Sequence, residues 1–307
     1  MKVLGHIHTF NDDDVIDRSL RALLDQTHPV DEVVLVDNAS ADGTLNRSFP
    51  EKVTVIRHQD NRGTSGAVIT GFQYGLERGY DWIWILDADS APRKDALEKL
   101  LRLYAGFSSE LQAQTRLLAS LPLDSTNNTP GHGVVISSAL TGPVRPESTQ
   151  EFYEFDVAMW TGCLFKLSAV REIGLPSADY VLDWGEFEYA LRGKRRGYRA
   201  FMHQGSILDH NIGGHPSLRS RTSRLGPLRL TTIDFPPIRL YYFTRNILYF
   251  WLHEYHRGNA YRLFSESPSI PKFLAKILLM SRKRWPETAA CLRGVWDGLW
   301  KNMHHRY

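Results

Sequence analysis

The sequence predicts an α/β protein with a doubly wound, mostly parallel sheet, helices on both faces of that sheet, and a helical C-terminal extension. Strand and helix patterns alternate through the first hundred residues, the strands are continuous apolar runs, and the chain after Pro236 is mostly helical in pattern. Continuously apolar strands are typical of a sheet covered on both sides. We expect two domains, residues 1–235 and 236–307, with a ligand crevice beyond the carboxyl ends of the strands.

The individual elements follow from apolar periodicity and from residues that start and stop helices. The predicted strands are Val3–Ile7, Val33–Val36, Val53–Ile56, Trp82–Leu86, Val134–Ser137, Phe152–Ala158, Cys163–Leu167 and one before His210. The predicted helices are one capped by Asp12–Asp14, then Ser65–Arg78, Pro92 to about Tyr104, and Asp183–Gly197. A loop-rich insertion is expected over residues 120–150.

Composition narrows the function class. The chain has 307 residues, of which 42% are hydrophobic and 23% charged, values of an ordinary globular protein. A net charge of +3 gives no case for a nucleic-acid partner. Cys163 and Cys291 are too few for a disulfide framework and indicate a reducing, cytoplasmic environment. We expect neither a signal peptide nor a membrane-spanning helix.

Two carboxylates follow the fourth predicted strand directly, at Asp87 and Asp89. An Asp-x-Asp pair is more often a solvated turn, but here it ends a buried strand in the expected crevice. Hard divalent cations prefer oxygen ligands, and Mg²⁺ or Mn²⁺ commonly bridges carboxylates and a substrate phosphate. The pair therefore predicts a metal and diphosphate site.

Three other polar residues become candidate site residues only when they are considered together with Asp87 and Asp89. Asp37 ends the second strand and could accept a hydrogen bond from a pyrimidine base, or cap a turn. Glu186, in the segment Asp183–Glu188, could act as a general base, although acids in a first helical turn commonly compensate the helix dipole. His210 follows a strand, where a single histidine is more often structural than a ligand.

Taken in order, the motifs resemble those of the family 2 inverting glycosyltransferases, which have the Rossmann-like GT-A fold. The resemblance covers roughly residues 1–250 and extends to bacterial rhamnosyltransferases and galactofuranosyltransferases. The matching segments are Thr9-Phe10-Asn11, Val36–Ser40 with Asp42-Gly43-Thr44, Asn61-Arg62-Gly63 with Gly66 and Gly71, Leu86–Asp89, Trp160–Cys163, Asp183–Arg192 and Tyr241–Asn246.

The resemblance implies roles for individual residues. Donor binding falls to Thr9, Asn11, Asp37, Gly66, Asp87 and Asp89, and the metal ligands would be Asp87, Asp89 and His210. Acceptor binding falls to Trp160, Thr161, Gly162, Trp184 and Arg245. Glu186 occupies the general-base position, but Gly185 departs from the paired acids of several members, so Asp183 remains an alternative base.

The sequence thus predicts a metal-dependent inverting glycosyltransferase that uses Mg²⁺ or Mn²⁺. The expected donor is a nucleotide-diphosphate sugar, dTDP-rhamnose or UDP-galactofuranose, and the acceptor is a glycan or lipid-linked glycan in cell-surface polysaccharide synthesis. A sugar-phosphate nucleotidyltransferase is disfavoured, because it normally has a Gly-rich loop with a basic residue after its first strand. A non-catalytic glycan- or nucleotide-sugar-binding module is the other alternative.

The C-terminal segment has a basic and aromatic character. Residues 270–307 contain eight Lys or Arg against two acids, interleaved with tryptophans. Basic amphipathic helices with aromatic residues can lie on anionic bilayers. We expect peripheral contact with the inner face of the cell membrane, with a solvated helix pair that covers the domain as the alternative.

Overall fold

The computed structural model describes residues 1–137, 142–144, 146–147, 149–210, 220–225, 228–233, 236–281 and 285–303. These form two compact units. The first contains Met1–Val135, Pro143–Ala178 and Tyr189–Ile212, and the second contains Ile136–Gly142, Asp179–Glu188 and Gly213–Tyr307. The expected boundary at residue 235 therefore falls inside the second unit. Among the described helices, none is both long and apolar enough to cross a bilayer.

Thirteen strands are present in the described residues. They are β1 Val3–Thr9, β2 Glu32–Asp37, β3 Val53–Arg57, β4 Trp82–Asp87, β5 Ala91–Pro92, β6 Thr115–Asp124, β7 Val134–Val135, β8 Gly142–Pro143, β9 Phe152–Phe155, β10 Cys163–Lys166, β11 Arg199–His210, β12 Ser220–Leu225 and β13 Leu228–Ile233. The α-helices are α1 Ile16–Leu24, α2 Gly63–Glu77, α3 Ala96–Gly106, α4 Ser109–Gln114, α5 Leu167–Ile173, α6 Gly185–Arg195, α7 Pro237–Tyr249, α8 Ala260–Glu266, α9 Ser269–Ser281 and α10 Trp285–Leu299.

The main sheet of the first unit has the strand order β3-β2-β1-β4-β10-β6-β11-β5, with β9 also paired to β11. Strands β3, β2, β1 and β4 are parallel, β10 runs antiparallel to both of its neighbours, and β11 is again parallel to β6. Two antiparallel steps restore the original direction, so β4 and β11 end at the same edge of the sheet. This arrangement confirms the predicted α/β fold class.

Helices cover both faces of the sheet, as β4 illustrates. Ile83 and Ile85 belong to a core cluster that includes α2 residues such as Phe72. Trp82 and Trp84 point to the opposite face, into a cluster with residues of α1 and α3. Alternate side chains of a strand point to opposite faces, so an unbroken apolar run is required when both faces are buried.

Several element predictions need correction. Strand β6, which lies in the interior of the sheet, was not predicted, because its start follows helix α4 without a turn signal. Pro92 does not open a helix; it lies in the short strand β5, and α3 begins at Ala96. The Asp12–Asp14 cluster provides no side-chain cap to α1. The Asp12 carboxylate instead accepts hydrogen bonds from the Thr9 hydroxyl and the Phe10 amide, both at 2.8 Å.

The helices of the second unit pack through small residues. A Cβ at Gly294 or Gly298 of α10 would meet backbone oxygens of α7, at 2.5 Å from Tyr241 and 2.7 Å from Arg245. Absence of a side chain thus lets the two helices approach closely. The π-helical segment Phe250–Tyr255 continues directly from α7.

Helix α2 makes a similarly close approach to β1 in the first unit. A Cβ at Gly71 would overlap the buried His6 ring and lie 2.8 Å from its Nε2. We expect Gly71→Ala to lower the free energy of unfolding by about 1–3 kcal/mol, because a packed ring must shift. Gly106→Ala is the control, since a Cβ there meets nothing within 4 Å. Chemical denaturation of both variants tests this; equal stabilities would contradict the close approach.

Candidate active site

Three predicted metal ligands lie together at the carboxyl edge of the main sheet. Asp87 ends β4, Asp89 follows in the next turn, and His210 ends β11. Each offers one ligand atom, and these atoms lie within 4.8 Å of one another. His210 is nearly buried, whereas about a third of each carboxylate side chain remains exposed. Two carboxylate oxygens and an imidazole nitrogen suit Mn²⁺ or Mg²⁺, and the partial exposure leaves access for a phosphate.

The charges of this cluster act on one another. Burial lowers the pKa of His210, but the hydrogen bond to Asp89 and the charges of Asp87, Asp89 and Asp124 outweigh it, so the pKa is raised. For Asp87, burial raises the pKa, and the neighbouring His8 and His210 reverse the sign, so the pKa is lowered. The cluster therefore holds the carboxylate of Asp87 in its ionised, metal-binding form.

A set of hydrogen bonds holds the cluster in place. The Asp87 amide donates to the Thr161 hydroxyl at 3.1 Å, and that hydroxyl lies 2.8 Å from the Ser90 hydroxyl. Ser90 in turn lies 2.8 Å from Nδ1 of His210. Thr161 and Ser90 are buried. Thr161, predicted to bind the acceptor, thus connects the end of β4 to His210 at the end of β11 through Ser90. A direct contact between Thr161 and the acceptor stays a prediction.

His8 is a neighbour of the cluster that the sequence alone did not predict. Strands β1 and β4 are in parallel register with His8 opposite Asp87, and Nε2 of His8 lies 3.0 Å from the Asp87 carboxylate. His6, two residues earlier on the same face, is fully buried, and burial lowers its pKa to about 3. Histidines at alternate positions of an otherwise apolar strand were the available signal.

The loops after β1 and β2 are joined, which brings several predicted donor-binding residues together. The Asn11 side-chain oxygen accepts from the Ala41 amide at 2.8 Å, and the Asn11 amide donates to the Ser40 hydroxyl at 2.9 Å. Asn11 and Ala39 both have positive φ, 58° and 65°. Burial raises the pKa of Asp12, and the charge of Asp89 adds to that rise. Asp12, in the loop after β1, is therefore close enough to Asp89 for their charges to interact.

Asp37, the predicted contact to a pyrimidine base, is fully buried. Its two oxygens each lie 3.2 Å from the Ser40 amide, and one lies 3.4 Å from Nε of Arg57. Asp37 therefore caps a turn, which was the alternative role. Its contact with a pyrimidine base stays a prediction. Gly66 is required by the start of α2, where a Cβ would overlap the side chain of Arg62.

The candidate base Glu186 and its alternative Asp183 lie in the second unit, at the start of α6 and in the strained segment before it. Asp183 and Trp184 have φ of 56° and 70°, conformations that cost about 1–3 kcal/mol each outside glycine. Helix α7 holds them: Asn246 donates to the Leu182 and Asp183 carbonyls at 2.7 and 3.0 Å, and Arg239 donates to both carboxylate oxygens of Asp183. Glu186 follows in the first turn of α6, half-buried.

Arg245, predicted to bind the acceptor, is fully buried; a contact with the acceptor stays a prediction. Its guanidinium donates to the carbonyls of Met303 and Asp179 and to the Asn246 side chain, at 3.0, 2.6 and 2.8 Å. It also lies over the ring of Tyr242. The Arg245 guanidinium therefore links α7 to Asp179, in the segment before the candidate base, and to Met303. All of these contacts lie within the second unit.

Two predicted acceptor-stacking tryptophans also belong to aromatic cores. Trp160 packs against Phe165 and Tyr189 with ring centroids 5.6 and 5.8 Å apart, and only 6% of it is exposed. Trp184 packs 4.3 Å from Phe187 and is 9% exposed. Both tryptophans therefore contribute to packing, and an acceptor contact for either stays a prediction. Gly162, with φ of 79°, joins strands through its backbone, accepting from Ser120 and donating to Ile85.

The chain is similar in sequence to known glycosyltransferases. Residues 6–114 match the family described as glycosyl transferase family 2. The chain is similar to an undecaprenyl-phosphate mannosyltransferase of Micrococcus luteus, at 37% identity over 106 residues. It is also similar to the galactofuranosyltransferase GlfT1 of Mycobacterium tuberculosis, at 24% identity over 199 residues. These alignments cover 33% and 64% of this chain. They span 43% and 65% of the two relatives, less than two thirds of either.

Solved structures show the same fold at low sequence identity. A mannosyltransferase from Pyrobaculum calidifontis, in complex with GDP-Man and Mn²⁺, superposes with a TM-score of 0.56 at 15% identity, over 98% of this chain and 87% of that one. GalNAc-T7 with UDP, GalNAc and Mn²⁺ gives a TM-score of 0.60 at 17% identity, over 83% and 49%. The chain is therefore similar to the family 2 glycosyltransferases over residues 6–114, and its fold is that of the GT-A glycosyltransferase structures.

Proposed function

We propose that this chain is a metal-dependent inverting glycosyltransferase that moves a hexosyl group from a nucleotide-diphosphate donor to a hydroxyl of a glycan or lipid-linked glycan in cell-surface polysaccharide synthesis. The observation that carries the proposal is the convergence of Asp87, Asp89 and His210 within 4.8 Å, in a chain whose residues 6–114 match family 2. Asp87 and Asp89 are therefore not isolated surface acids, because they lie beside a histidine from a strand that is distant in the sequence.

The donor would bind with its diphosphate at this cluster. A Mg²⁺ or Mn²⁺ ion held by the three side chains would neutralise the negative charge that grows on the departing diphosphate. His8 keeps the Asp87 carboxylate oriented toward the edge of the sheet, and Ser90 fixes the ring of His210. The ends of β1 and β2 would supply Thr9 and Asp37 for the nucleoside, and the loop after β1 would supply Asn11. These roles rest on the family resemblance and on the proximity of the loops to Asp89.

Glu186 is the proposed general base. It removes the proton from the acceptor hydroxyl while the oxygen forms a bond to the anomeric carbon and the bond from that carbon to the diphosphate oxygen breaks. The Asp183 carboxylate already accepts hydrogen bonds from Arg239 on both oxygens, which suits a structural role for Asp183 and supports the assignment of the base to Glu186. The strained backbone at Asp183 and Trp184 also supports a functional role for this segment, since such strain concentrates at functional sites.

The relatives support one donor over another. A galactofuranosyltransferase is among them, which favours UDP-galactofuranose over dTDP-rhamnose, the other candidate from the sequence. The named lipid carrier of the Micrococcus relative, undecaprenyl phosphate, supports an acceptor on a lipid-linked chain. Both assignments belong to the proposal.

A panel of nucleotide sugars tests the reaction class. We expect UDP-galactofuranose with Mn²⁺ to raise the melting temperature by a few degrees, since a ligand at 100 times its Kd adds about 2.7 kcal/mol of stability. With an acceptor glycan, transfer should give the inverted anomer, detected by NMR. Release of diphosphate from a sugar phosphate and a nucleoside triphosphate would instead indicate a nucleotidyltransferase. Donor binding without transfer to any acceptor would favour a binding module.

Metal binding is expected to depend on Asp89. Asp89→Asn removes a charged ligand, so we expect Mn²⁺ affinity, measured by calorimetry, to fall at least about tenfold, and Mn²⁺-dependent transfer to fall with it. Asp95→Asn is the matched control, because Asp95 lies just before α3, outside the cluster of Asp87, Asp89 and His210, and its carboxylate pairs with Lys99. Equal Mn²⁺ affinity in both variants would contradict the metal site.

A pair of isosteric amides tests the base. Glu186→Gln should lower kcat about 10²-fold or more while the donor Kd stays unchanged, because only proton removal is lost. Asp183→Asn should lower the melting temperature by weakening the Arg239 contact, with a smaller effect on kcat. Glu110→Gln, in the first turn of α4, controls for simple dipole compensation. If the larger loss of kcat occurs in Asp183→Asn, the base is Asp183.

A further inference from the structure

Helix α10 presents its tryptophans to solvent, although the chain buries its other tryptophans. Of eight tryptophans, five are at most 9% exposed: Trp82, Trp84, Trp160, Trp184 and Trp251. The three others all belong to α10 or to the residue after it: Trp285 is 76% exposed, Trp296 62% and Trp300 68%. Large apolar side chains that cluster on one exposed surface mark a binding face.

These side chains form one stripe. With 3.6 residues per turn, positions 285, 292, 296, 299 and 300 fall within about 100° around the helix axis. Leu292 and Leu299 fill the spaces between the tryptophans and are 48% and 41% exposed. Trp296 and Trp300 lie one turn apart, with ring centroids separated by 5.7 Å. We call these five residues the tryptophan face of α10.

The opposite side of α10 explains why the tryptophans point outward. Its buried residues are small, Ala290, Cys291, Gly294 and Gly298, and the two glycines allow close contact with α7. Both acids of the helix also point inward: Glu287 is 7% and Asp297 4% exposed. Asp297 accepts a hydrogen bond from the Tyr241 hydroxyl at 2.7 Å. Rotation of α10 to hide the tryptophans would therefore expel these acids and glycines from their contacts.

The charge around the tryptophan face is positive. Residues 270–307 contain eight Lys or Arg and only two acids, Glu287 and Asp297, and both acids are buried. Arg293 and Lys301 are exposed beside the face, and the sequence Arg282-Lys283-Arg284 directly precedes the helix. Tryptophans with cations beside them, on a helix whose described part has no exposed acid, have the chemistry that binds the headgroup region of an anionic bilayer.

We propose that the tryptophan face of α10 docks the second unit on an anionic lipid surface, with the indole rings in the headgroup region and the basic residues on lipid phosphates. This face can bind lipid whatever the donor sugar, so its test does not depend on the proposed reaction. The described part of this helix has no exposed acid, and the cations Arg293 and Lys301 beside the tryptophans match the negative charge of lipid phosphates.

Vesicle flotation of the full chain tests the proposal, with phosphatidylcholine vesicles that contain or lack phosphatidylglycerol. We expect binding to the anionic vesicles that weakens as salt is raised. The double variant W296S/W300S should lose at least about tenfold in apparent affinity, and K301E should lose a smaller part. Y261S is the matched control, because Tyr261 of α8 is 79% exposed and lies outside the tryptophan face.

Circular dichroism and light scattering complete the test. The altered side chains are exposed, so the variants should keep the helicity and melting temperature of the unchanged protein. Equal flotation of the unchanged protein and W296S/W300S would overturn the proposal, as would an equal loss in Y261S. A dimer that dissociates in W296S/W300S, without binding to either vesicle, would assign the face to a second copy and also overturn it.

Discussion

The candidate site depends on the parallel pairing of β1 with β4. This register sets His8 opposite Asp87, so the carboxylate at the end of β4 meets an imidazole instead of apolar surface. The two antiparallel steps through β10 then return β11 in the direction of β4, which carries His210 to the same edge. A shift of one residue in the β1–β4 register would turn the opposite face of β1 toward Asp87 and remove its histidine partner.

The buried polar groups behind the cluster make its geometry costly to change. Ser90, Thr161 and His210 are buried and satisfy one another in a chain of hydrogen bonds that begins at the Asp87 backbone. Loss of any hydroxyl would leave a buried polar partner unsatisfied, which costs about 1–3 kcal/mol. The ligand atoms can therefore remain close together despite the mutual repulsion of two carboxylates.

In the second unit, hydrogen bonds from helix α7 hold the segment that precedes the candidate base. Helix α7 provides Arg239, Arg245 and Asn246, and these side chains bind the backbone or carboxylate of the segment 179–183 before α6. Their hydrogen bonds offset the strain of two consecutive residues with positive φ. The same helix packs on the glycines of α10, so the outward tryptophans and the position of Glu186 both depend on α7.

By itself, the sequence determined the α/β class, most strands of the parallel half and the Asp87, Asp89 and His210 set, because apolar runs and strand-end acids are local signals. It could not show that Arg245 and Trp160 are buried, since burial depends on neighbours distant in the chain. It also could not show that β6 is an interior strand or that His8 is the partner of Asp87. Those were decided by strand order and register, which arise only when distant segments pack together and satisfy each other's hydrogen bonds.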